Sequence, residues 1–220
     1  MTGSKTDAAI KSYLDQEPDI VGLGYNLYIP TTQAKMYLDY LQSGGTLVVF
    51  CESKDGGVEN LMRTIFNDNT IKEDRVNAAG AVYGIPDLED DILIGPFGDL
   101  RKTQWGEDAS QTCWVMNLPL SEIAVYSTAE DISATPSSIV SGTTAADLVT
   151  AFRHKTLNFV WFGDGGFLST YRTGSTTAYP CKIDGTTKAP IPYTGTGNGF
   201  GRGSTKYNVY NSQIFANIVA

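Results

Sequence analysis

Gly44-Gly-Thr-Leu-Val-Val-Phe-Cys-Glu-Ser-Lys-Asp-Gly-Gly-Val58, continuing to Phe66, is the stretch whose reading decides the fold. Thr46 to Phe50 is a short apolar, β-branched run, which is how a strand buried on both faces reads. The glycine pair before it ends the preceding element. Beyond it Val58, Leu61, Met62, Ile65 and Phe66 recur at the spacing of one helix face. Strand, tight turn and amphipathic helix in that order make half of a parallel βα unit. Open α/β sheets take their ligands at the carboxyl ends of such strands. Any chemistry is therefore expected near the turn that carries Cys51, Glu52, Ser53 and Asp55.

Moving upstream, Thr31 or Thr32 is positioned to cap a helix whose Ala34, Met36, Tyr37, Leu38 and Leu41 form a broad apolar face. Before it, Asp19-Ile-Val-Gly-Leu-Gly24 reads as a strand, and Thr6 to Gln16 as a helix with Ile10, Tyr13 and Leu14 inward, stopped by Pro18. The alternation over 6–66 specifies a mainly parallel sheet covered by helices, here a three-layer, flavodoxin-like α/β sandwich. A strand normally opens such a unit, and nothing before Thr6 supplies one. The place beside Ile20–Gly24 is thus expected to be open or filled from elsewhere.

Downstream, 67–120 is irregular. Ile92 to Ile94 is a brief apolar run leading to Asp99, and Ile123 to Ser127 and Ser137 to Ser141 read as strands. Leu148 to His154 and Leu157 to Gly163 form a β-hairpin, expected at one sheet edge, with a helix over Ala145 to Phe152 as the competing reading. From 172 to 206 the chain is a long Gly-, Thr- and Ser-rich loop. Asn211 or Ser212 then caps a closing helix with Ile214, Phe215, Ile218 and Val219 inward. No repeat or linker divides the chain, so 1–220 reads as one domain.

The 220 residues are 41% hydrophobic and 18% charged, which is globular rather than disordered. A net charge of −8 without a basic cluster excludes a nucleic-acid partner. No apolar run reaches membrane-spanning length, so membrane insertion is not expected. The start lacks a signal-peptide pattern, which leaves the compartment open. Cys51, Cys113 and Cys181 are too scattered for a disulfide framework. One pair can form, with all three reduced and buried as the other reading.

Cys51, in a strand-to-helix turn, is a candidate nucleophile if a base reaches it, and the only histidine is His154. Glu52, Asp55, Asp99 and Asp164 would share the carboxyl edge if their strands are parallel neighbours. Paired carboxylates there suit glycosidic hydrolysis or a divalent ion. They also close turns without any function, as Asp164-Gly-Gly would. Trp105, Glu107 and Asp108, with Asp164, are candidate ligand-binding residues, an aromatic face and acids facing a sugar, unless Trp105 plugs the sheet end. Gly195 to Ser204 matches no phosphate-loop pattern, and no standard metal motif or cofactor fingerprint occurs.

"PDIVGLGYN" and "GGTLVVFCES", each followed by a helix, then "NFVWFGDGGF" and "NSQIFANIVA", resemble the class I glutamine amidotransferase-like fold, closest to its ThuA-like and surface-protein branches. The resemblance covers 6–66 and 148–220. It implies a nucleophile at Cys51, but the His-x-Glu expected after the late strand is replaced by Asp164-Gly-Gly. Amidotransferase activity is therefore not expected. The expected function is a catalytically silent binding domain of a larger, perhaps cell-surface, protein. It would engage a glycan or protein partner, self-associate weakly, and sit outside the cytoplasm. The alternative is a carboxylate-dependent hydrolase acting on carbohydrate.

Overall fold

The computed structural model describes residues 5–25, 27–52, 57–78, 80–108, 111–130, 144–170, 178–194, 200 and 207–220. Along these the elements are α1 (Asp7–Leu14), β1 (Ile20–Gly24), α2 (Thr31–Gln42), β2 (Thr46–Phe50), α3 (Glu59–Phe66), β3 (Lys72–Asn77) and β4 (Val82–Gly84). Then come β5 (Ile94–Gly95), β6 (Gly98–Asp99), β7 (Gln104–Gly106), β8 (Gln111–Met116), β9 (Ile123–Thr128), β10 (Val149–His154) and β11 (Phe159–Phe162). The short β12 (Lys182–Ile183) and β13 (Pro190–Ile191) precede α4 (Asn211–Ile218).

The turn between α2 and β2 shows how the chain is aimed. Gly44 takes φ 99°, a left-handed conformation that glycine adopts without penalty, and so closes the helix. A side chain on Gly45 would overlap the Tyr40 ring. Tyr40 can therefore lie flat there and donate its hydroxyl to the Pro18 carbonyl at 2.6 Å, tying the helix end to the start of β1.

Seven strands form one sheet in the order β1-β2-β11-β10-β8-β3, with β9 also paired to β10. The molecule is thus mixed α/β, with no closed barrel. Its centre is parallel as expected: β1 pairs with β2, and β2 with β11. Beyond β11 the pairing is antiparallel through β10 to β8 and β9, and from β8 to β3.

The hairpin of β10 and β11 is present, and only Ala145–Asp147 of the competing helix forms, as a single 3-10 turn. It lies inside the sheet and not at an edge, which corrects the expectation. The reason is burial, because β10 is buried at every position but Arg153 and needs strands on both sides. The place beside β1 is open among the described residues. The expected strand over Ser137 to Ser141 lies outside them.

Side-chain alternation divides the core in two. Leu47, Val49, Cys51, Phe159 and Trp161 pack with Ile10 of α1, Tyr37 and Leu41 of α2, and Leu61 and Met62 of α3. Val48, Phe50, Val160 and Phe162 face the other way, toward Ile214 of α4, Tyr83 of β4 and Trp105 of β7. Helix ends differ from the sequence reading in detail. Tyr13 is exposed and only Ile10 of α1 is buried, while Pro30 and Tyr210 precede α2 and α4 without side-chain caps. All three cysteines are buried. Among the described residues no helix is long and apolar enough to cross a membrane.

Candidate functional site

Strand register builds the site. Phe50 of β2 is paired with Phe162 of β11 across a parallel ladder. Two residues further on, Glu52 and Asp164 therefore stand side by side past the strand ends. With a period of two they leave on the side of Phe50 and Phe162. That is the side on which β7 lies, and β7 runs directly into Glu107 and Asp108. The carboxylates of Glu52, Glu107, Asp108 and Asp164 each offer an oxygen, and all four oxygens lie within 4.8 Å of one another. Glu107 and Asp164 are fully buried, Asp108 is 7% exposed and Glu52 9%.

Beneath the acids is an aromatic floor. Phe50 stacks on Phe167 at 4.9 Å, Phe162 lies 4.3 Å from Phe167, and Trp105 meets both Phe162 and Phe167 at 5.8 Å. Trp105 also stacks on Tyr83 and donates its indole N–H to Ser127 at 2.9 Å. It is fully buried, so it plugs the sheet end and turns no face to solvent.

The walls are held by backbone and by Asn211. The Gly80 amide donates to Glu107 Oε2 at 2.9 Å, and Ser169 Oγ to Asp108 Oδ2 at 2.8 Å. Asn211 accepts from the Gly106 amide at 2.9 Å and donates to the carbonyls of Gly106 at 2.9 Å and Phe167 at 3.0 Å. It thus clamps the segment leading into Glu107 to the loop following Asp164. The glycines of that loop are required by space. A Cβ on Gly166 would overlap the Asp108 carboxylate, and one on Gly165 would press the Glu52 Cγ at 3.1 Å and the Tyr25 Cα at 3.0 Å.

Electrostatics make the acids costly. Asp164 Oδ1 accepts from the Gly166 amide at 2.8 Å, but its Oδ2 and Glu52 Oε2 are buried with no hydrogen-bond partner among the described residues. Burial pushes the Glu52 carboxyl up to about 7, the Asp108 charge pushes the same way, and Arg75 opposes them. Asp164 is raised well above the ordinary carboxylate range, first by burial and then by Glu107 and Asp108. An all-oxygen set of this kind can share protons or coordinate a hard cation.

The other candidates fall elsewhere. Cys51 points to the helix side, away from the acids. His154 ends β10, whose Arg153 pairs with Val160 near the amino end of β11. The histidine is therefore at the opposite end of the sheet, roughly four strand residues or ~13 Å along it from Cys51. Its Nδ1 accepts from the amides of Thr156 at 3.1 Å and Leu157 at 3.0 Å, so it serves a turn.

Asp99 is not on the carboxyl edge, which corrects the placement expected for it. Ile94 enters the small β5–β6 hairpin instead of the main sheet, and there Asp99 is exposed. Arg101 binds both its oxygens, at 2.9 and 2.6 Å, and holds its carboxyl down at about 2. Asp55 lies outside the described residues.

Sequence reasoning placed Glu52 with Asp164 on the carboxyl edge and grouped Glu107 and Asp108 with Asp164, but did not join the two groups into one cluster. It missed Asn211 as a clamp and Tyr25 as a neighbour. The signal available was the equal length of the two apolar runs ending at Phe50 and Phe162, which places residues 52 and 164 level once those strands pair. Neither the protein-family models nor the curated proteins give a match to this chain.

Proposed function

We propose that this is an amidotransferase-like domain, silent as an amidotransferase, that serves as a glycan-binding module of a larger cell-surface protein. The observation that carries the reading is the contrast at the carboxyl edge. The acids and Trp105 are buried, whereas Tyr25 and Tyr28, which follow β1, are 66% and 63% exposed. Tyr25 takes φ 69°, unusual for a bulky residue, and its backbone abuts Gly165 of the acid loop. Exposed tyrosines beside a rigid sheet end suit stacking on sugar rings. The separation of Cys51 from His154 supports the absence of glutamine hydrolysis. With α1–α3 on one face and α4 on the other, we take the fold to be a flavodoxin-like three-layer sandwich. The open edge of β1 fits weak self-association.

The test is a glycan array with the wild-type domain and with Tyr25→Ala and Tyr28→Ala. Binding lost in the variants at unchanged stability is expected, and failure to bind any glycan contradicts the reading. A second reading, a carbohydrate hydrolase, is favoured by one observation, the Glu52 carboxyl held at about 7 beside Asp164. A raised carboxyl held beside further acids is what a general acid requires. Release of reducing sugar that vanishes in Glu52→Gln would establish it in place of the first.

A further inference from the structure

The geometry points to a divalent-cation site formed by Glu52, Glu107, Asp108 and Asp164, with calcium as the ion it fits best. The inference stands apart from the glycan reading, since the ion would organise the sheet end whatever the exposed surface binds. Clustered acids alone would not carry it. Asp164 Oδ2 and Glu52 Oε2, however, are buried with no hydrogen-bond partner among the described residues, on residues 0% and 9% exposed, and each residue belongs to the cluster. A buried acceptor left without a donor is destabilising, more so when charged. An ion satisfies both at once.

The surroundings are shaped for it. Glu52 and Asp164 are fixed level by the Phe50–Phe162 register, and Asn211 fixes the segment before Glu107 against the loop after Asp164. Gly165 and Gly166 leave the space that lets three acid-bearing segments close on one point. Such prior fixing lowers the ordering cost of binding.

The donors select the ion. Carboxylate oxygens without histidine or cysteine favour Ca²⁺, Mg²⁺ or Mn²⁺ over zinc or copper. Oxygens about 2.4 Å from a central calcium can be at most ~4.8 Å apart, whereas around magnesium at ~2.1 Å the limit is ~4.2 Å. All four oxygens lie within 4.8 Å of one another, inside the calcium limit. Calcium takes about six to eight oxygen ligands where magnesium keeps several waters, so four carboxylates on one point favour calcium. The ion offsets two of the four negative charges, and Arg75, whose charge already acts on Glu52, offsets part of the remainder.

The experiment is thermal unfolding of the chelator-stripped domain, with calcium or magnesium added, alongside equilibrium dialysis against calcium. At about 5 mM calcium we expect the midpoint to rise by about 5 °C, with a smaller rise in magnesium and about one calcium bound per chain. Asp164→Asn and Glu52→Gln should each weaken calcium binding by about tenfold or more, while unfolding in chelator no earlier than the wild type. A wild-type midpoint unmoved by calcium, or variants that keep the full response, overturns the site. Should Asp164→Asn fail to fold, Glu52→Gln at the rim and wild-type dialysis still decide it. No sugar enters the assay, so its result is separate from that of the glycan array.

Discussion

Two groups of buried acid in this molecule are handled in opposite ways. Asp90, whose side chain is 2% exposed, sits under Arg153, which reaches its Oδ2 through two guanidinium nitrogens, each at 2.8 Å. Its Oδ1 accepts from the Tyr126 hydroxyl at 2.5 Å and the Ile92 amide at 3.0 Å. Both oxygens are satisfied, and the Tyr126 hydroxyl is correspondingly hard to ionise, raised by burial and by Asp90. At the carboxyl edge, Glu52 and Asp164 stand among further acids, and each keeps an oxygen with no partner among the described residues. Asp90 is a buried carboxylate served entirely from within the chain. It comes with its own cation and donors, and the cluster departs from that pattern where the two parallel strands end.

The largest effect should come from breaking the satisfied site. Arg153→Met leaves Asp90 charged and buried, and we expect a loss of about 3 kcal/mol in denaturant unfolding, while Asp90→Asn costs less. An effect below about 1 kcal/mol would mean that the pair is not a structural unit.

Next is Gly166→Ala, whose methyl group must displace the Asp108 carboxylate. A loss of about 1–3 kcal/mol is expected, against almost none for Gly22→Ala, where a Cβ meets nothing within 4 Å. Equal costs at the two positions would show that the acid loop is not closed as described.

The third effect has the opposite sign from the first. In chelator, Asp164→Asn should raise stability by up to about 1 kcal/mol, because it removes repulsion rather than a partner. A loss as large as that for Arg153→Met would place Asp164 in the same class as Asp90.

How much of this was legible follows from where the chain is periodic. Thr46–Phe50, Phe159–Phe162 and α3 carry their apolar pattern within one element, so strand and helix can be read directly. Lys72–Asn77 cannot, because β3 is a polar edge strand held by its ladder to β8, and pairing is invisible in a single run. The sequence reading left the site in two parts, Glu52 with Asp164 and Glu107 and Asp108 with Asp164, for a related reason. Residues 52, 107 and 164 are far apart in the chain, and only the register of β2 with β11 and the packing of β7 on Phe162 bring them together. Asp99 shows the converse, since a short apolar run before an acid suggested a sheet strand but belongs to a two-residue hairpin.

The smallest effect concerns His154. Burial lowers it from the usual value of 6.5, partly opposed by Glu122, and its Nδ1 must stay unprotonated to accept two amides. The unfolded chain therefore binds the proton more readily. The contribution is full above about pH 6.5 and is lost as pH falls through the lower folded value, by about 1 kcal/mol or less. His154→Asn should flatten that part of the pH–stability curve, and an unchanged curve would assign the slope to carboxylates.

The central claim is that the carboxyl edge, unlike the Asp90 site, draws its missing charge from outside the chain. A crystal structure of the domain grown with calcium tests it most directly. The account predicts an anomalous-scattering peak about 2.3–2.6 Å from oxygens of Glu52, Glu107, Asp108 and Asp164. A lysine or arginine side chain filling the same point, or the four carboxylates turned apart with only water between them, would contradict it.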